Sequence, residues 1–479
     1  MNKANSETAI LSISLDRGAK ASLQNQLLQS LRDLVHAGRL TSGNRLPSSR
    51  NLAQELAVSR VTTTAVYDQL IAEGYLEGKR GSGVFVASDL PDIAVRTQKS
   101  AASPPEEPLP GNSTLRPFSV GYPDLAAFPY RDWTRTHDRI WRAPGKDILG
   151  QSQPMGFGPL RSAIATHLRE WRGIECTGAQ IVVTSGLMDA LELIAKATLS
   201  IGDTVLVEEP GHKILINALG NVGMNCVPVP VDEQGLNLSA VNAECIRAKT
   251  VAVTPSRQYP LGMTLSLARR LEVLEWAEKA DGLILEDDYD GEFRYQGQPL
   301  PAMTSLDDSG RVIYIGSFSK VMFPALRLGY IVLPKRVLPL VSKVLAQTGP
   351  RAAHISQPVL AEFMKDGALA THIRRMRRLY GERQKALLGA LTTHAQDLLQ
   401  ADAETGGMHL VAELSPMLAG RMDDTDVSDV ARAHDIHVAP LSGFYRGNRR
   451  KQGLVMGYAA FDPHEISSSI RTLAHALRS

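Results

Sequence analysis

The sequence predicts a multidomain chain: a small N-terminal α+β head built as a helix-turn-helix with a hairpin, then a large α/β domain that ends in a smaller α+β lobe. Three observations predict it. The chain has 479 residues, 43% hydrophobic and 21% charged, too long for one ordinary domain and apolar enough for a sizeable core. Two short capped helices precede a hairpin pattern within the first 88 residues. From Phe118 onward, apolar strand runs alternate with helical patterns, which argues a mostly parallel sheet. The expected boundaries are a head over 1–88, a linker over 89–115 and a large domain over 116–479, with its small lobe from about 370.

The formal charge of +2 neither demands nor excludes nucleic acid, but residues 1–88 hold ten Lys/Arg against seven Asp/Glu, so the mild basic bias sits in the head. Cys176, Cys226 and Cys245 are odd in number and widely spaced, which excludes a disulfide framework and a zinc site as expectations. With no signal-peptide pattern in the first residues and no long uncharged stretch, the expected location is cytoplasmic.

In the head, Leu23, Leu27, Leu31 and Leu34 recur at helical spacing after Ser22, and Gly38 stops the run. Ser48 or Ser49 can cap a short helix reaching Ala57, and Ser59 a second from Arg60 to Glu73. This spacing is that of a helix-turn-helix, whose second helix lies in the major groove. Its N-terminal half carries Arg60, Thr62, Thr63, Thr64 and Tyr67. Tyr75–Glu77 and Val84–Val86 then flank a turn over 78–83 with a Lys79-Arg80 tip, a wing suited to phosphate or minor-groove contact. A Pro/Ser/Ala-rich linker without periodicity follows.

Strands are expected at Ile181–Thr184, Thr204–Val207, Cys226–Val229, Val251–Thr254, Leu283–Glu286, Val312–Gly316 and Gly329–Leu333. Helical patterns cover Leu187–Leu199, Ser266–Lys279 and Arg336–Gln347, and a basic helix covers Arg374–Arg383. Lys320 stands just past one strand, flanked by Ser317 and Ser319 and followed by Arg327. That set suits a site that joins an aldehyde to the lysine and holds an attached phosphate. Glu286-Asp287-Asp288-Tyr289 closes another strand; a carboxylate there can keep a pyridine nitrogen protonated, and a tyrosine can bond a ring phenolate. Thr184-Ser185-Gly186-Leu187-Met188 passes from strand to helix, where backbone N–H groups meet anions.

The spelling S-F-S-K-x-x-x-P-x-L-R-x-G-Y from Ser317 resembles the lysine segment of fold-type I aminotransferases, whose cofactor is pyridoxal 5'-phosphate (PLP), and E-D-D-Y-D-x-E-F from Glu286 fits the same family. L-P-S-S-R-x-L-A-x-E-L-x-V-S-R-x-T from Leu46, then L-x-x-E-G-Y and G-x-G-V-F-V, resemble the winged helix of GntR regulators. Together they resemble the MocR subgroup of that family. The resemblance implies a PLP-dependent transferase fold, a PLP Schiff base at Lys320, ring partners Asp287 and Tyr289, and a phosphate site at Ser317, Ser319, Arg327, Gly186, Leu187 and Met188. It also implies DNA contacts at Ser48, Arg50, Arg60, Thr62, Thr64, Arg80 and Gly81, with Thr63 and Tyr67 as further candidates. Promoter DNA, an amine or amino-acid effector and a homodimer, head-to-tail, are the implied partners.

The chain departs from the pattern at several places. Met188 replaces a glutamine, Arg257 a histidine beside the ring, and His212 a tyrosine that stacks on it. Gln151 falls where a partner-subunit tyrosine reaches the phosphate, and Val455 where an arginine holds the substrate carboxylate. Arg449 and Arg450 read as a solvated pair, and Arg257 is an alternative carboxylate partner. The leading expectation is a transcription regulator that senses PLP or an amine or amino-acid effector through an aldimine at Lys320. Two rivals are an active aminotransferase with an accessory DNA-binding domain and a regulator whose large domain is only a dimerisation scaffold.

Overall fold

The computed structural model describes residues 13–19, 21–79, 81–90, 115–241, 247–297, 301–447 and 450–479. It divides into two compact units, residues 1–111 and 112–479. In the first, helix α1 (Leu23–His36) starts on Ser22, whose hydroxyl accepts the Asn25 N–H at 3.2 Å. Helices α2 (Ser49–Glu55) and α3 (Arg60–Ala72) start on Ser48 and Ser59 in the same way. Ala57, at φ 51°, turns the chain between them. Strands β1 (Leu76–Lys79) and β2 (Gly83–Val86) pair antiparallel from Leu76 opposite Val86 to Lys79 opposite Gly83, so the turn is shorter than the sequence suggests.

The strands run on to the tip beside pairing that the sequence pattern hides. Gly43 and Leu46 donate to the carbonyls of Val86 and Val84, and Arg45 bridges Phe85, so a third extended segment supports the hairpin. Leu27, Leu31, Leu52, Val66, Leu70 and Val86 form the core of this unit.

In the second unit, α4 (Gly158–Arg172) precedes β3 (Ile181–Thr184), α5 (Leu187–Thr198), β4 (Thr204–Glu209), α6 (Lys213–Asn221), β5 (Asn225–Asp232) and β6 (Gly235–Leu236). Then come β7 (Thr250–Val253), α7 (Leu267–Lys279), β8 (Leu283–Asp288), β9 (Val312–Ser317) and β10 (Gly329–Val332). They form one sheet in the order β3-β10-β9-β8-β7-β4-β5-β6. The pairs β5–β4, β4–β7, β7–β8 and β8–β9 are parallel; β10 runs antiparallel to both β3 and β9, and β6 folds back on β5. All seven expected strands form. Their apolar runs are continuous rather than alternating because both faces are covered, by one core holding Leu193, Ile194 and Ile313 and by another holding Val273, Ile284 and Val312.

Beyond Gly367, α8 (Ala368–His394) leads to a second sheet of β11 (Leu399–Gln400), β12 (His409–Leu414), β13 (Ala439–Pro440) and β14 (Gly453–Gly457), with α9 (Asp424–Ala433) and α10 (Pro463–Arg478). The order is β11-β12-β14-β13, all antiparallel. The basic run of α8 is not a uniformly solvated face. Arg377 and Arg374 lie over the Trp171 ring at 4.7 and 5.8 Å, and Arg383 is buried against Asp124 at 2.5 Å.

Cys176 and Cys226 are free thiols; Cys245 lies outside the described residues. Among the described residues no helix is long and apolar enough to cross a membrane, and no cluster of His, Cys, Asp and Glu is arranged to hold a metal.

Candidate functional site

Sheet register gathers the predicted residues. Gly329, first in β10, lies between Thr184 at the end of β3 and Ser317 at the end of β9, so the Gly186 turn, the Lys320 turn and Arg327 meet at one corner. Along the same edge β8 ends at Asp287 and Asp288, β7 leads into Arg257 and β4 into His212. This is the carboxyl edge of the parallel strands, where open α/β sheets bind ligands.

Lys320 sits on a single helical turn, Phe318–Val321, and its Nζ donates to the Gly121 carbonyl at 2.7 Å. Burial lowers its pKa below the ordinary lysine value, against the pull of Asp290 and Asp287. Gly121, at φ 82°, lies so close that a Cβ there would meet Nζ at 2.6 Å. The neighbouring Ser317 hydroxyl accepts the Ser319 N–H at 3.2 Å. Arg327 is exposed and held at φ 51°, and its guanidinium has no partner among the described residues. Gly186, at φ 107°, opens α5 without a side-chain cap, and a Cβ there would meet nothing within 4 Å. The first N–H groups of α5, on Leu187 and Met188, thus start at the corner where the sheet register brings the Ser317 and Arg327 turns; the Met188 side chain is exposed.

Successive side chains of β8 alternate between faces. Glu286 and Asp288 point one way: Glu286 accepts from Met303 and Thr304, and Asp288 is buried beside Arg172 at 2.6 Å and the Tyr314 hydroxyl at 2.7 Å. Asp287 points the other way, with its Oδ2 at 3.2 Å from His212 Nδ1. Asp287 is therefore the carboxylate that shares a face with the His212 ring. Tyr289 accepts from Arg257 at 3.2 Å, and burial pushes its phenol well above the usual range.

Arg257 is sunk rather than offered to a ligand. Only 6% exposed, it donates to the His409 carbonyl at 2.6 Å and to Nδ1 of the His409 ring at 3.3 Å, and lies 3.6 Å from Asp290. The His409 ring donates from Nε2 to the Pro260 carbonyl at 3.0 Å, and burial holds its pKa well below the usual histidine value. These contacts hold the two terminal nitrogens of Arg257 in the floor of the site, while its Nε has no hydrogen-bond partner among the described residues. Val455 is fully buried in the middle of β14, and Gln151 is exposed. Arg450 is exposed as expected; Arg449 lies outside the described residues. Gly121, Asp290, Tyr259 and His409 are site residues that sequence reasoning missed; the Gly-Tyr-Pro turn signal at Gly121 and the acid one past Tyr289 were the available signals.

Beneath this edge Glu208 accepts from the Thr254 N–H at 3.2 Å and its hydroxyl at 2.5 Å, and burial pushes the carboxyl up to about 7. A carboxyl raised above its unfolded value stabilises the fold fully below the unfolded pKa and loses that contribution as pH rises through the folded one. Between pH 4.5 and 8 the protein is expected to lose on the order of 3 kcal/mol relative to Glu208→Gln, read from urea unfolding midpoints.

In the head, Ser48, Arg50, Arg60, Thr64 and Gly81 are exposed, and Thr62 is half-buried with its hydroxyl 2.7 Å from that of Ser59. Two residues are placed otherwise than as surface contacts. Thr63 is fully buried and donates to the Ser49 carbonyl at 2.9 Å; Tyr67 is buried and donates to the Pro47 carbonyl at 2.9 Å. Both tie α3 to the start of α2 because they fall on its inward stripe with Val66 and Leu70. Arg80 lies outside the described residues. Val61, 79% exposed beside Arg60, adds an apolar group that suits a thymine methyl.

Comparison with known proteins agrees with both halves. The family described as "Aminotransferase class I and II" matches residues 119–463, and "Bacterial regulatory proteins, gntR family" matches 23–86. The probable rhizopine catabolism regulatory protein MocR of Rhizobium meliloti is 38% identical, over 96% of this chain and 95% of its own. The pyridoxine biosynthesis transcriptional regulator PdxR of Corynebacterium glutamicum is 33% identical, over 98% and 99%. The chain is a MocR-type GntR regulator. The large unit of this MocR-type regulator also superposes on a kynurenine aminotransferase of Pyrococcus horikoshii with a TM-score of 0.69 and 27% identity, covering 77% of this chain and 91% of that one.

A MocR-type regulator binds DNA through its winged head and pyridoxal phosphate through its aminotransferase-type domain. The residues present fit that cofactor: an open corner at Gly186, a desolvated amine at Lys320 and, at Asp287, a carboxylate on the face that also carries the His212 ring.

Proposed function

We propose that the large unit senses a small primary amine or amino acid at Lys320 and passes that occupancy to the winged head as a change in operator affinity. The observation that carries the reading is the desolvated Lys320 amine between the anion corner and Asp287. Pyridoxal phosphate supplies, when bound, an aldehyde carbon on which one primary amine replaces another, one carbon–nitrogen link forming as the other breaks, with no redox change. Lys320 contributes an amine whose lowered pKa favours the neutral, nucleophilic form. With the cofactor bound, Asp287 would hold a proton on the ring nitrogen, and Ser317, Ser319, Arg327 and the start of α5 would hold the phosphate. Tyr289 would bond the ring oxygen.

An effector acts only to the extent that it binds one DNA-competent state better than the other. A homodimer belongs to the same proposal: Leu149, Met188 and Ile355 are each at least half exposed, and a second copy would cover them. The domain division at 88 and 115 is proposed likewise. The two family matches, 23–86 and 119–463, support it.

The test is fluorescence anisotropy of a labelled fragment from the promoter of this gene, with full-length protein, PLP and a panel of primary amines and amino acids. At least one ligand is expected to shift the affinity about 5-fold or more, within the usual range of coupling energies. Arg50→Ala with Arg60→Ala weakens binding to all fragments and lowers the salt slope by about two, one per lost phosphate contact. An affinity indifferent to PLP and to every ligand would leave the large unit a scaffold.

A further inference from the structure

Resting on the reading that Lys320 exchanges amines, we infer that its ligand is a primary amine without a carboxylate, carrying an apolar or aromatic body. Val455 lies opposite Val411 of β12 and Ala439 of β13, and it packs with Leu441 and Phe444. Val120, Tyr259 and Leu261 lie against this cluster. Val120 leads directly into Gly121, whose carbonyl holds Lys320. A Cβ on Gly457, at the end of β14, would strike the Ser119 carbonyl, so strand and segment are pressed together. Tyr259 closes the wall: its ring lies 4.7 Å from His212, 5.2 Å from His409, 5.4 Å from Tyr289 and 5.6 Å from Phe444. The side chains packed between the lysine segment and β14 are thus aliphatic and aromatic.

The cations near it are engaged elsewhere. Arg257 is bound to Tyr289, His409 and Asp290. Lys213 lies 4.7 Å over the Phe444 ring and lines a cavity with Ile216, Cys226 and Phe444 itself. Arg450 donates to the Gly447 carbonyl, and Arg327 belongs to the anion corner. Among the described residues a ligand carboxylate leaving water for this wall meets no forked guanidinium, so it loses hydration without a bidentate partner. The same ligand without the carboxylate keeps the amine that Lys320 chemistry requires and gains apolar contact.

The experiment titrates full-length, PLP-loaded protein with matched pairs, 2-phenylethylamine against phenylalanine and 3-methylbutylamine against leucine, following the visible absorption. Each amine is expected to half-saturate the change at a concentration about 10-fold or more below its amino acid, and Val455→Arg to shrink or invert that ratio. Should Val455→Arg fail to fold, the wild-type ratio decides by itself. An amino acid that acts at an equal or lower concentration overturns the inference and leaves amine exchange standing. A PLP band that neither member of either pair perturbs overturns the exchange reading, and this inference with it.

Discussion

In Lys320→Ala the visible absorption that pyridoxal phosphate acquires on joining a lysine amine disappears completely, and with it any response of DNA binding to amines. The loss is expected to be total because the geometry offers no substitute among the described residues: Lys320 is the amine held at the Gly121 carbonyl, between Asp287 and the anion corner. The corner itself is built from Gly186, Ser317, Ser319 and Arg327 and does not depend on the lysine, so the variant still takes up PLP as the free aldehyde. Absorbance titration separates the two states, because the free and lysine-linked forms absorb at different wavelengths. The fold does not suffer. Removing an amine whose burial is already unfavourable leaves urea stability without PLP equal to wild type or higher. A variant that kept the linked band would place the linkage on another lysine and overturn the site.

Much of this site was legible because its parts are local in sequence. Lys320 with its two serines, the acidic end of β8 and the glycine that opens α5 each occupy a few consecutive residues at a strand end. The apolar runs before them mark buried strands without any knowledge of their neighbours. What stayed hidden depends on phase and register. Thr63 and Tyr67 share a helix half with Arg60 and Thr64, but the 3.6-residue period turns them inward, where Ser49 and Pro47 carbonyls wait. Arg257 reads as a positive charge beside a ring; only the fold shows that His409, 152 residues away, draws it into the floor. The pairing of Gly43 and Leu46 with β2 was equally invisible, since it rests on backbone groups without a side-chain pattern. Likewise the basic run of α8 gave no sign that Trp171 and Asp124 would cover part of it.

The alternation of β8 separates two neighbouring aspartates by what their loss costs. Asp288→Asn removes the charge beside Arg172, a buried guanidinium 2.6 Å away, and weakens the acceptor of the Tyr314 hydroxyl. Breaking a buried ion pair from one side costs about 3–5 kcal/mol, so the urea midpoint falls sharply while the fraction that remains folded keeps its PLP band. Asp287→Asn removes a charge whose described partner is the half-buried His212 at 3.2 Å, an interaction worth about 1 kcal/mol. Its larger effect falls on the cofactor: without a carboxylate to hold it protonated, the ring nitrogen loses its proton at lower pH and PLP binds more weakly. The two variants should therefore cross, one losing the fold and keeping the site, the other the reverse. Asp288→Asn with unchanged stability and a lost band would instead put the ring partner on the opposite face of β8. The assignment of Asp287, and with it the position of His212 beside the ring, would then be wrong.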